Sequence, residues 1–121
     1  MGLTSQIGAL GEKAAISYLR ANGFLICERN WRHGRYEIDI IAQRWGVIHF
    51  VEVKSRDSGG WSRPEDAITQ KKFDSLRRAA SVYLAFNAFR GEHQFDLIAV
   101  EMTMGEVSQI RYVENAMQSH W

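Results

Sequence analysis

Asp39, Glu52 and Lys54 are the residues whose types and spacing could do chemistry, and they lie in one stretch, EIDIIAQRWGVIHFVEVK, from Glu37 to Lys54. Two apolar, β-branched runs, Ile38 to Ala42 and Val47 to Val53, flank a polar break at Gln43, Arg44, Trp45 and Gly46. That is the pattern of two adjacent strands joined by a tight connection. Directly opposed residues of an antiparallel hairpin share a face, and their numbers add to an odd constant when the loop has an even number of residues. Asp39 and Glu52 meet that condition. A loop of about two or four residues centred on Trp45 and Gly46 therefore puts Asp39, Glu52 and Lys54 on one face, whereas an odd loop splits them.

Two carboxylates about 5 Å apart repel unless a cation lies between them, and oxygen ligands suit a hard divalent ion such as magnesium. The stretch thus offers a metal site with a lysine beside it. The structural alternative is a cross-strand ion pair in which Lys54 bridges Glu52 and Asp39. These charges interrupt runs that read as core strands, where unpaired carboxylates are costly, and burial favours a site that holds a metal.

The elements that must position these groups follow from the rest of the chain. Its 121 residues, 45% hydrophobic and 24% charged, suit a single domain, residues 1–121, with a real core. From about Ser5 to Asn22, Ile7, Leu10, Ala14, Ala15, Tyr18 and Leu19 recur at helical spacing, and Asn22-Gly23 supplies a stop. Glu12 shares a side with Gly8 and Ile16 and flanks that stripe, which by itself reads as a solvated glutamate. Phe24 to Trp31 reads as a strand ending in a basic turn with Arg29, Arg32, His33, Gly34 and Arg35, either a polar loop or a phosphate-contacting rim. His33 and His49 have no metal-binding spacing, and His49 faces away from Glu52.

Beyond Lys54, Ser55 to Arg63 reads as a loop leaving the carboxylate strand, where Trp61 would stack on a base or fold back on the core, and Arg56 and Arg63 would meet phosphates. Pro64, Glu65 and Asp66 open a helical turn, and Thr69 caps a long helix to about Phe86 or Asn87. Its apolar stripe, Phe73, Leu76, Ala80, Tyr83 and Leu84, should cover the sheet, with Lys71, Lys72, Arg77 and Arg78 on the other side. Gln94 to Glu101 and Val107 to Val113 read as strands around a Met-Gly turn, and Asp96 as a structural charge awaiting an arginine. The expected chain order is a helix, three strands in antiparallel meander, a right-handed crossover helix and further strands.

The net charge of +1 hides an asymmetry: Arg29 to Arg90 holds 12 Lys and Arg against 7 Asp and Glu, and Gly91 to Trp121 holds 1 against 5. A basic half containing the carboxylates suits a polyanionic partner such as nucleic acid. Cys27, the single cysteine, excludes an internal disulfide. No membrane span or signal peptide is visible, and a reducing cytoplasm is the simplest home.

An acidic residue on one strand followed after a turn by Glu-Val-Lys resembles the PD-(D/E)XK nuclease superfamily. Gly11-Glu12 in LGEKAAISYLRANGF, ERNWR at Glu28 to Arg32, EIDII, FVEVKSR, PEDAIT at Pro64 to Thr69, Lys72 ahead of Leu76, Ala79-Ala80 and FDLIAV at Phe95 to Val100 are similar to the YraN family. That family is itself similar to archaeal Holliday junction resolvases, and its members are described as predicted nucleases. The resemblance implies an α/β, restriction-endonuclease-like core, with a central mixed sheet of about five strands flanked by helices. It also implies that Glu12 joins Asp39 and Glu52 at a magnesium or manganese ion, and it leaves room for a homodimer. Tyr36 departs from it, standing where most relatives carry glycine.

Hydrolysis of a nucleic-acid phosphodiester, DNA before RNA and branched forms among them, is the expectation. Asp39, Glu52 and Glu12 would hold the metal, Lys54 would orient water or stabilise charge, and Arg56, Arg63, Lys71, Lys72, Arg77 and Arg78 would grip the backbone. The alternatives are a non-catalytic nucleic-acid-binding module and a docking subunit of a repair or processing complex.

Overall fold

The computed structural model describes residues 3–57 and 68–116. Trp61, Arg63, Pro64, Glu65 and Asp66 lie outside them, as does the tail to Trp121. The elements are α1 (Leu3–Ala21), β1 (Leu25–His33), β2 (Tyr36–Arg44), β3 (Val47–Asp57), α2 (Gln70–Phe86), β4 (Glu92–Thr103) and β5 (Glu106–Val113). The strands form one five-stranded sheet in chain order. Only β3 and β4, the pair separated by α2, run parallel. This is the expected mixed sheet flanked by helices, consistent with a PD-(D/E)XK-like core.

Each helix closes one face. Against α1 pack Ile40, Ala42, Val51, Ile98, Val100 and Met102. The α2 side holds Ile38, Ile41, Ile48, Phe50 and Leu97 beneath Leu76, Ala79, Ala80 and Tyr83. Phe50 and Leu97 are fully buried, and each such side chain contributes roughly 1.5–3 kcal/mol. Thr69 caps α2 as expected, accepting a hydrogen bond from the Lys72 backbone N–H at 3.1 Å. No helix among the described residues is long and apolar enough to cross a membrane.

The buried line on α1 runs through Gly11, Ala15, Ile16 and Leu19, while Leu10 is 44% exposed. Ile7, Ala14, Ala15, Tyr18 and Leu19 of the expected stripe do pack on that core and Leu10 falls outside it, the closest approach to the sheet being made by a glycine. A Cβ on Gly11 would lie 1.7 Å from Ser55 Oγ and 2.8 Å from Ser55 Cβ on β3. Gly11→Ala should therefore force α1 off the sheet at that point, costing about 1–3 kcal/mol by overpacking despite alanine's better helix propensity. Denaturant unfolding measures that loss, and unchanged stability would contradict the contact.

On the α1 face, Asp96 is fully buried and its partner is His49, not the arginine expected. His49 Nδ1 and the Tyr112 hydroxyl each lie 2.6 Å from Asp96 Oδ2, while Gln94 Nε2 and the Asn115 backbone N–H donate to Oδ1 at 2.9 and 3.0 Å. Burial raises the pKa of this carboxyl, but those hydrogen bonds outweigh it and hold the group below the usual aspartate range. The cluster ties β3, β4, β5 and the chain after β5 together.

Candidate active site

The β2–β3 turn is two residues, Trp45 and Gly46, with φ of 54° and 78°. Positive φ at both places is the form that matches the twist of paired strands, and it fixes an even loop. Ile40 pairs with Val51 and Arg44 with Val47, a register that carried one step further sets Asp39 opposite Glu52. The β2–β3 ladder stops there. Beyond it β2 stays paired to β1 as far as Tyr36, and β3 stays paired to β4 as far as Asp57. The sheet thus forks at Asp39 and Glu52, and in place of the next ladder bond the Val53 backbone N–H donates to Asp39 Oδ2 at 2.9 Å.

Strand alternation breaks at the same point. Ile38 packs on the α2 side and Ile40 on the α1 side, although residues two apart normally share a face. Across from Asp39, between the pairs Arg29–Ile40 and Trp31–Ile38, Asn30 has a φ of 50°, a backbone form that asparagine tolerates better than most residues. Asn30 Nδ2 donates to Glu12 Oε1 at 2.7 Å. Asn30 was missed as a site residue, and its signals were its place in the ERNWR motif and an asparagine interrupting a run of strand formers.

Glu52 is 3% exposed, and both Lys54 Nζ and Lys72 Nζ approach its Oε2, at 3.6 and 3.5 Å. Burial first, then the charge and hydrogen bond of Asp39, push the Glu52 carboxyl up to about 7, against the pull of Lys72 and Lys54. Two lysines match the two acids in formal charge, and it is burial that keeps the Glu52 carboxyl raised in spite of them. Lys72 is therefore not on the outer side of its helix. It stands four residues before Leu76, seven before Ala79 and eleven before Tyr83, all buried, a phase visible in the sequence.

Glu12, Asn30, Glu37, Asp39, Lys54 and Arg56 share a cleft of about 530 Å³ on the α1 side of the fork, while Glu52 is sealed beneath it toward α2. Glu37 also meets Arg32 at 3.5 Å on the surface. Among the described residues no three His, Cys, Asp or Glu side chains converge as a metal cluster, and Glu12 is held by Asn30. An oxygen-only pair beside a cleft with room for water fits magnesium, which is often bound through one or two carboxylates, with waters and phosphate oxygens completing its shell.

The basic residues separate. Arg56 Nε bonds the Asp57 carbonyl at 3.1 Å beside the cleft. Lys71, Arg77 and Arg78 are exposed on α2, where Arg77 meets Asp74 at 3.7 Å. Arg63 lies outside the described residues. Tyr36 pairs with His33 at the hairpin end and packs partly on the α2-side core, so the aromatic fills space without displacing Asp39.

Comparison with known proteins finds relatives over most of the chain. The chain is 47% identical over 94 residues to a UPF0102 protein of Oleidesulfovibrio alaskensis, covering 77% of this chain and 46% of that one. It is 38% identical over 117 residues to one of Alkaliphilus oremlandii, covering 94% and 99%. A third, UPF0102 protein STH1475 of Symbiobacterium thermophilum, is 37% identical over 118 residues, covering 97% and 100%. The family model described as "Uncharacterised protein family UPF0102" matches residues 11–100, from Gly11 within α1 through β3 and α2 into β4, and the chain belongs to that family, the YraN family.

Proposed function

We propose that this protein is a magnesium- or manganese-dependent nuclease that hydrolyses phosphodiester bonds of DNA or RNA in the cytoplasm. The observation that carries the reading is the contact at the fork between half-buried Asp39, which lines the cleft, and buried Glu52, whose carboxyl pKa is raised by burial and by Asp39. A divalent ion held there would supply positive charge to the scissile phosphate and lower the pKa of an attacking water. Asp39 is pre-aimed by the Val53 backbone, and Glu52 is kept from full protonation by Lys72 and Lys54. Lys54, lining the cleft with its side chain 36% exposed, is placed to orient water or meet the extra negative charge of the transition state. Glu12 would add a third carboxylate if it leaves Asn30.

Labelled duplex, single-stranded, flapped and four-way DNA, with the RNA equivalents, offered with magnesium, manganese or chelator, test the reading. Metal-dependent cleavage lost in Asp39→Ala is the expected result. A second reading, a non-catalytic binding or docking module, has one observation in its favour: Lys54 and Lys72 already engage Glu52. Tight binding with no cleavage in either metal would establish it.

Lys72 gives a prediction free of activity. In chelator, Lys72→Met should raise the Glu52 carboxyl pKa above its value of about 7, because the largest charge opposing burial is gone. Carbon-13 NMR of the carboxyl across pH reads the shift, and an unmoved midpoint would contradict the contact.

A further inference from the structure

Helix α2 turns a second face toward the β1–β2 hairpin. While Leu76, Ala79 and Tyr83 are buried against the sheet, Lys71, Asp74, Ser75 and Arg78 recur along the flank of the helix and look across a groove of about 630 Å³ at Arg35 and Tyr36. A recess of that size takes a small ligand. Asp74, its one acid, is engaged by Gln70 Nε2 at 3.0 Å and Arg77 at 3.7 Å. Among the described residues none of the ion pairs involves Arg35, Lys71 or Arg78. The groove therefore combines three cations that make no ion pair among the described residues with a wall made by the half-buried ring of Tyr36.

Its position ties it to the site. Lys71 is the chain neighbour of Lys72, which touches Glu52, and Arg35 and Tyr36 lead into the strand that carries Asp39 three residues later. The Glu12–Lys54 cleft opens on the α1 side of the fork and this groove on the α2 side. Cations alone would suit any phosphate backbone, but an aromatic wall is useful only to a base that has left its stack, since the faces of duplex bases are covered by their neighbours.

We propose that the groove between α2 and the β1–β2 turn binds one unpaired nucleotide, with phosphate on Arg35, Lys71 and Arg78 and the base against Tyr36. The substrate would then carry a single-stranded segment beside the bond to be cut. This rests on the nucleic-acid reading of the site, though not on cleavage, so binding is measured in chelator in an Asp39→Asn background.

A short oligothymidine should shift the NMR signals of Arg35, Tyr36 and Arg78. Tyr36→Leu, which keeps an apolar contact with the core, should weaken that binding about tenfold, the size of one lost base–aromatic stack, and Tyr36→Phe should restore it. Affinity for a duplex should be unchanged by either. Arg78→Ala should weaken single-strand binding and lower its salt slope by about one unit. Wild-type affinity in Tyr36→Leu, an equal loss for duplex, or equal competition by polyglutamate would overturn the proposal. If Tyr36→Leu does not fold, the wild-type shift map decides: perturbations confined to residues outside the groove overturn it, and perturbations at the three named residues support it.

Discussion

Lys54→Ala should lower the rate of phosphodiester cleavage by about 10²–10³ while leaving affinity for the same nucleic acid within a small factor. Removing one preorganised electrostatic contact to a transition state costs about 2.7–4 kcal/mol, and a single exposed phosphate contact contributes much less to binding. The geometry makes the split measurable. Lys54 lines the cleft and lies 3.6 Å from Glu52, so its loss removes a charge from the reacting region without opening the core, its side chain being 36% exposed. Lys72 still faces Glu52 in that variant at 3.5 Å and limits the disturbance to the carboxylate. Single-turnover cleavage beside equilibrium binding is the measurement. An equal fall in both would make Lys54 a grip on the backbone.

Asp96→Ala should destabilise the fold by about 3–5 kcal/mol, because it removes a buried charge with a histidine partner and strands several donors around it. His49, Tyr112, Gln94 and the Asn115 backbone all lose their acceptor at once. Asp96→Asn keeps the shape and should cost less. The pH dependence has a definite sign. Asp96 has a depressed pKa in the fold, so its contribution is present above the ordinary aspartate value near 4 and is lost as pH falls through the lower folded value. Glu52 acts in the opposite sense: its folded value of about 7 lies above its ordinary 4.5, so its contribution is present below 4.5 and is lost as pH rises through about 7. Urea unfolding from pH 3 to 8 should show the acid-side loss shrink in Asp96→Asn. An unaltered profile would mean that Asp96 carries none of it.

The β2–β3 hairpin is legible in the sequence because two constraints are discrete: a polar break short enough for a tight turn, and a parity that sets Asp39 opposite Glu52. The register through Ile40 and Val51 follows that arithmetic. Arithmetic of this kind assumes strict alternation, however, and could not show that the strands part at Asp39 or that Ile38 and Ile40 take opposite faces. Gly11 stood out only as part of the Gly11-Glu12 motif, because a tally of apolar residues gives no weight to a residue whose contribution is an absent side chain. Lys72 was legible in principle, since helical phase sets it in line with Leu76, Ala79 and Tyr83, but residue type suggested solvent and overrode phase. Asp96 and His49 come from different strands that meet only through the parallel β3–β4 pairing made across the α2 crossover, and no local pattern announces such a contact.

The central claim is that Asp39 and Glu52 hold a divalent ion, and calorimetric titration of magnesium and of manganese into the protein tests it without a substrate. Saturable binding is predicted for the wild type, lost in Asp39→Ala and in Glu52→Ala while the fold, followed by circular dichroism, persists. Binding that survives in the double variant, or no saturable binding in the wild type with either metal, would contradict the assignment.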